Sequence, residues 1–205
     1  MNRRSFIAAT TPLAVLSGCL DDIGSGSTAG EDGTTDDGTG PDESEPPFDV
    51  TTVDGPGSDA GTVSVPTDGQ IQLVNFTRLN CPTSKALLER VEEARDRLAE
   101  AVDVGPDGTV HVLSVIDGSV GAQPSATELA DWWAEQDGDW TIGNDEHGVL
   151  DDYYEVTLRP TTIAIDGTGE VHWRDEGGTT VNTMVSGVET ALEEATEPRT
   201  RDDDN

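Results

Sequence analysis

The residues best suited to chemistry in this chain are Cys81-Pro82-Thr83-Ser84, which follow the apolar run Leu73-Val74-Asn75-Phe76 closely. A strand that turns into a helix here places the Cys81 thiol at the helix N-terminus. Unpaired backbone N–H groups and the positive end of the helix dipole gather at such a point. Both favour the thiolate, the nucleophilic form of cysteine. Pro82 suits the first helical turn, where its missing N–H costs nothing. Three residues after Cys81, where a second cysteine would complete a Cys-x-x-Cys pair, stands Ser84. A hydroxyl cannot complete thiol–disulfide exchange, so the motif offers a single thiol.

The other cysteine, Cys19, belongs to a targeting segment. Arg3-Arg4-Ser5-Phe6-Ile7 reads as a twin-arginine export signal, and the apolar stretch from Phe6 to Leu16 is too short for a bilayer, which takes about 20 residues. Leu16-Ser17-Gly18-Cys19 resembles a lipobox, whose cysteine becomes the lipidated N-terminus after cleavage. The alternative is an ordinary signal peptide with a chance cysteine. The expected location is therefore the outer face of the cytoplasmic membrane, anchored by a lipid on Cys19. Lipidation would consume Cys19 and leave Cys81 as the sole free thiol in an exported, disulfide-permissive setting.

Forty-two acidic residues face eleven basic ones, for a formal charge of −31, and Lys85 is the one lysine. Phosphates would repel such a chain, which excludes nucleic acid as a partner. The acidic excess runs along the whole sequence, and with the scarcity of lysine it resembles proteins of salt-loving archaea, where high ionic strength screens self-repulsion. An acidic metal-binding surface is the competing explanation, but no regular Asp-x-Asp-x-Asp-Gly loop supports it.

Elements on both sides of Cys81 must position it. Residues 1–19 are the export segment, and residues 20–57 read as a disordered acidic tether rich in Gly, Ser and Thr. That tether would hold the domain about 30 Å from its anchor. Residues 58–196 form one domain, and 197–205 a polar tail. Within the domain, Thr62–Val65 and Ile71–Thr77 are strands, the second apolar enough to be buried on both faces. Ser84–Val102 carries Leu87, Leu88, Val91, Ala94, Leu98 and Ala101 at helical spacing. Val110–Ile116 is a strand, and Ser125-Ala126-Thr127-Glu128 is a capping box starting a helix to about Glu135. Trp140–Ile142 reads as a short edge segment and Glu146–Tyr154 as a helix. Thr161–Ile165, a turn at Asp166-Gly167-Thr168-Gly169 and Glu170–Arg174 form a hairpin, and Val181–Ala195 is a closing helix. Parallel pairing first and antiparallel pairing last define an α/β fold: a central mixed β-sheet with helices on both faces.

With the elements placed, two segments resemble the thioredoxin-like fold, and within it the TlpA/ResA-type thiol-disulfide oxidoreductases and the wider AhpC/TSA–redoxin group. One is Leu73-Val74-Asn75-Phe76 leading to Cys81-Pro82-Thr83-Ser84. The other is Tyr154-Glu155-Val156-Thr157-Leu158-Arg159-Pro160-Thr161-Thr162-Ile163-Ala164-Ile165-Asp166, followed by Gly169-Glu170-Val171. The resemblance covers about residues 58–195. It implies that Cys81 is the attacking cysteine, and that Pro160 is the cis-proline beside it. It also implies that Pro82, Thr83, Arg159 and Thr161 border an extended substrate segment added as a strand. No cofactor is implied. The implied partners are a protein or small thiol, and a monomer is expected.

The chain also departs from that pattern. Ser84 replaces the resolving cysteine, Asn75 stands where thioredoxins keep a buried aspartate, and Leu87 where ResA-type proteins place a glutamate. Without a second thiol neither carboxylate has a task. Three functions remain open: a monothiol exchange protein whose Ser84 hydrogen-bonds the thiolate, a redox-inactive binding module, and a one-cysteine peroxidase with Arg159 near the thiolate. For the third, Val74 and Arg78 occupy the proline and threonine positions of Pro-x-x-x-Thr-x-x-Cys. His111, His147 and His172 are scattered and read as structural, and the copper chaperones of this fold need a second cysteine. Trp132 and Trp133, being adjacent, cannot share one helix face, so one is expected in the core and the other at the surface.

Overall fold

Runs of β-branched and aromatic residues form the centre of the molecule, where a strand covered on both faces must be apolar throughout. The computed structural model describes residues 45–117 and 123–196. Its elements are β1 (Phe48–Thr52), β2 (Gly61–Val65), β3 (Ile71–Thr77), α1 (Pro82–Ala99), β4 (Val110–Asp117), α2 (Ala126–Glu135), β5 (Thr141–Asp145), α3 (Val149–Tyr153), β6 (Thr161–Ile165), β7 (Val171–Glu176) and α4 (Val181–Thr196). The strands form one sheet in the order β2-β1-β5-β4-β3-β6-β7. β3, β4 and β5 are parallel; β6 joins β3 antiparallel, and β7 joins β6.

Alternating side chains divide the core in two. Leu73, Val112 and Ala164 face α1, α2 and α4, meeting Leu87, Val91, Leu129, Met184 and Val188. Val74, Phe76, Leu113 and Ile163 face the other way, toward Phe48, Leu150 and Tyr154. Helices thus cover both faces, as expected. The capping box at Ser125 is present, with Glu128 reaching back to the Ser125 N–H at 2.9 Å. Asp166 closes the β6–β7 turn by accepting from the N–H groups of Thr168 and Glu170 at 2.8 and 3.1 Å.

Several expectations need correction. The domain begins at least ten residues before Ser58, because Phe48–Thr52 is a strand with buried Phe48, Val50 and Thr52. Its apolar alternation is short and lies within acidic, proline-rich sequence, so composition masked it. Through β1 the segment expected as an edge becomes internal: β5 lies between β1 and β4. The chain after β1 also covers α2, with Trp133 Nε1 donating to the carbonyls of Pro56 and Trp140, each at 3.1 Å. Trp133 is buried beneath this segment, and Trp132 is buried as well. The expected helix over 146–154 shortens to α3. The export segment, Cys19, the tether up to residue 44 and the tail from 197 lie outside the described residues. No helix among the described residues is long and apolar enough to cross a membrane.

Candidate functional site

Cys81 is the N-cap of α1, with extended backbone at φ −102°, ψ 115°, and Pro82 opens the helix. Its carbonyl accepts from Lys85 N–H at 3.0 Å and its own N–H donates to Arg78 O at 3.2 Å. The thiol is half-buried and donates to the Arg159 carbonyl oxygen at 3.9 Å. The Arg159–Pro160 peptide bond is cis, so the two segments implied by the resemblance do meet.

The thiol pKa is lowered from its ordinary value, first by the Ser84 hydroxyl and the Ser84 N–H, then by Thr83, while burial opposes them. Ser84 is fully buried, and its Oγ has no hydrogen-bond partner among the described residues. That leaves the hydroxyl free to serve the sulfur. The first turn of α1 also carries no acidic side chain, so nothing there cancels the dipole's preference for a thiolate. Pro82 and Thr83 are exposed beside the sulfur.

Arg159 and Thr161 depart from the expected substrate contacts. The Arg159 side chain is only 7% exposed, with Nη2 at 3.2 Å from Asp117 and in contact with Asp151. Its Nη1 donates to Val156 O at 3.1 Å. The guanidinium is therefore engaged by acids, which removes its expected peroxidase role; only the backbone faces the sulfur. Thr161 is fully buried and its hydroxyl donates to Leu158 O at 2.8 Å, closing the loop rather than meeting a ligand. Leu158 is 55% exposed on this same loop, an apolar contact that periodicity could not single out.

Asn75 is buried in a polar row across the sheet. Its Nδ2 donates to Ser114 Oγ at 3.3 Å and its Oδ1 accepts from Thr162 at 3.5 Å, while Trp140 Nε1 donates to the same Ser114 at 3.0 Å. An amide, donor and acceptor at once, fits this row without a charge. Leu87 is fully buried in the core. Neither position supplies a base.

His111 is buried against Thr141 Oγ1 at 2.8 Å, and burial pushes its pKa down to about 4. It borders a cavity of about 360 Å³ with Arg95, Trp140 and Thr141, at the end of the parallel strands away from Cys81. Asp166, Glu170 and His172 bring one ligating atom each within 4.8 Å of one another. There the His172 ring is held by Asp166 at 3.1 Å and Glu194 at 2.6 Å, which ties the hairpin to α4.

No protein-family model matches the chain, and no curated protein matches its sequence. Solved structures do resemble it. StoA from Bacillus subtilis is 20% identical with a TM-score of 0.55, over 68% of this chain and 94% of that one. The pneumococcal exposed lipoprotein thioredoxin Etrx1 from Streptococcus pneumoniae is 21% identical with a TM-score of 0.55, over 69% and 97%. A putative thiol:disulfide interchange protein DsbE from Chlorobium tepidum is 17% identical with a TM-score of 0.54, over 72% and 94%. The fold is thioredoxin-like, and its structural neighbours include thiol-disulfide oxidoreductases.

Proposed function

We propose that this chain is an extracytoplasmic, membrane-anchored monothiol exchange protein that acts through Cys81 on partner proteins or small thiols. The observation that carries this reading is the accessible Cys81 sulfur, favoured as thiolate by Ser84 and Thr83, facing the Arg159–Pro160 backbone at 3.9 Å. The thiolate attacks one sulfur of a partner disulfide. A Cys81–partner disulfide forms, the old sulfur–sulfur bond breaks, and the leaving thiolate takes a proton from water. Ser84 holds the nucleophile but cannot displace the partner, so a second, external thiol completes the cycle. The neutral Asn75 and apolar Leu87 agree with a site that has no second internal step to assist.

The exposed lipoprotein thioredoxin among the structural neighbours supports an extracytoplasmic setting, and the lipobox-like Leu16-Ser17-Gly18-Cys19 supports the lipid on Cys19. The acid-rich surface supports a salt-loving source, and the chain is read as a monomer. The decisive experiment is trapping mixed disulfides on Cys81 in whole cells, with Cys81→Ser as control. Adducts lost in the control support exchange. Failure of Cys81 to alkylate in the folded protein would instead favour a redox-inactive recognition module using the exposed Leu158 on the loop that enters Pro160.

A further inference from the structure

Arg159 presents its backbone to Cys81 and its side chain to the protein interior. There, elements far apart in sequence converge on one guanidinium. Asp117, at the end of β4, lies 3.2 Å from Arg159 Nη2, and Asp151 of α3 touches the same nitrogen. Asp145, at the end of β5, stands behind them and accepts from the N–H groups of Val149, Leu150 and Asp151 at 3.1, 2.9 and 3.3 Å. Asp117 also lies 3.8 Å from Arg78, in the loop that enters Cys81. The carboxylate of Asp117 therefore joins both loops that flank the sulfur. Burying such charges is costly unless each is paired, and breaking one pair releases the loop it holds.

We propose that Asp117 and Asp151 are positioning residues that act through Arg159 to hold the Arg159–Pro160 backbone against Cys81 for exchange with an extended partner. The inference rests on the exchange function above and adds its regulation. An alkylating agent needs only the thiolate. A peptide disulfide must also lie along the Arg159–Pro160 backbone, as in strand addition. The groups facing Asp151 are Arg159 from the loop before β6, Asp117 from β4 and Asp145 from β5, with Arg78 behind Asp117. Burial, reinforced by the charges of Asp117 and Asp145, pushes Asp151 up to about 7 against the pull of Arg159. Its ionisation above that value gives Arg159 a full counter-charge and tightens the loop; protonation below it loosens the hold.

The test compares two rates on the full chain in molar salt from pH 6 to 8.5: alkylation by iodoacetamide, and mixed-disulfide formation with a thiopyridyl-activated peptide. Alkylation reports the thiolate fraction, so the ratio of the rates isolates docking. In the parent protein the ratio should rise as pH passes through about 7. Asp151→Asn should lower it about tenfold at pH 8 and flatten its pH profile, with alkylation changed less than about twofold. Asp117→Asn should lower it as well. Arg159→Lys, which keeps the charge but loses the fork that meets two acids, carries the same test if an aspartate variant does not fold. An unchanged ratio in the folded variants overturns this inference alone. A parent protein whose Cys81 does not alkylate overturns the exchange function, and this inference with it.

Discussion

The Cys81 thiol donates to the Arg159 carbonyl oxygen across 3.9 Å, although the two residues are 78 positions apart in the chain. Antiparallel pairing of β3 with β6 produces this meeting. Phe76 lies opposite Thr161, so the turn leaving β3 and the loop entering β6 emerge at the same end of the sheet. One carries the Cys81 thiol and the other the Arg159 carbonyl that faces it.

Ser84 is the largest influence favouring the Cys81 thiolate. Ser84→Ala should raise the thiol pKa and slow alkylation at pH 7 several-fold, with little difference at pH 10, where the thiol is ionised in both. A rate unaltered at pH 7 would show that the hydroxyl does not serve the sulfur. Ser84→Cys should form a disulfide with Cys81 and gain slow insulin-reducing turnover. The turnover stays slow because Asn75 and Leu87 offer no base to the second thiol.

His111 should make the fold acid-sensitive. Its pKa is depressed by burial from 6.5 to about 4, so the unfolded chain takes up a proton that the folded one refuses. The stability in question is complete above pH 6.5 and is lost as pH falls from 6.5 toward 4. The loss is on the order of 3 kcal/mol. Urea denaturation at pH 7 and pH 4 should therefore show a larger drop for the parent than for His111→Gln. Equal drops would remove His111 as the cause.

Gly143 tests the placement of β5 beside β1. A Cβ there would sit 2.4 Å from Val50 Cγ1 and 3.0 Å from the Thr51 carbonyl oxygen. Gly143→Ala should destabilise the domain by about 1–3 kcal/mol, read from the urea midpoint. If β5 were an open edge instead, the substitution would be nearly neutral.

The anchor is tested at Cys19. Replacing it with serine should release the protein from membranes or block its processing. Unchanged membrane association and gel mobility would reject the lipid on Cys19.

Sequence by itself determined most of the helices and strands of the domain and the position of its thiol at the start of α1. Helical spacing of Leu87, Val91, Ala94 and Leu98 made α1 legible, and continuous apolar runs did the same for β3 and β4. The order of Cys81 and Pro160 along those elements brought the resemblance into view. Periodicity reports whether a side chain is buried, but not what it is buried against. Only the tertiary structure placed β1 beside β5, because five alternating residues in acidic sequence become a strand through their partners. It also decided that Trp133 is covered, since the chain after β1 closes over it, and that Trp132 is buried beside it. The site divides in the same way. Cys81, Pro82, Thr83 and Ser84 stand where their types and spacing imply, because they share one turn. Arg159 and Thr161 turn inward while Leu158 stays exposed. Arg159 points toward Asp117 and Asp151, whose charges reach it only after β4, α3 and β6 have packed.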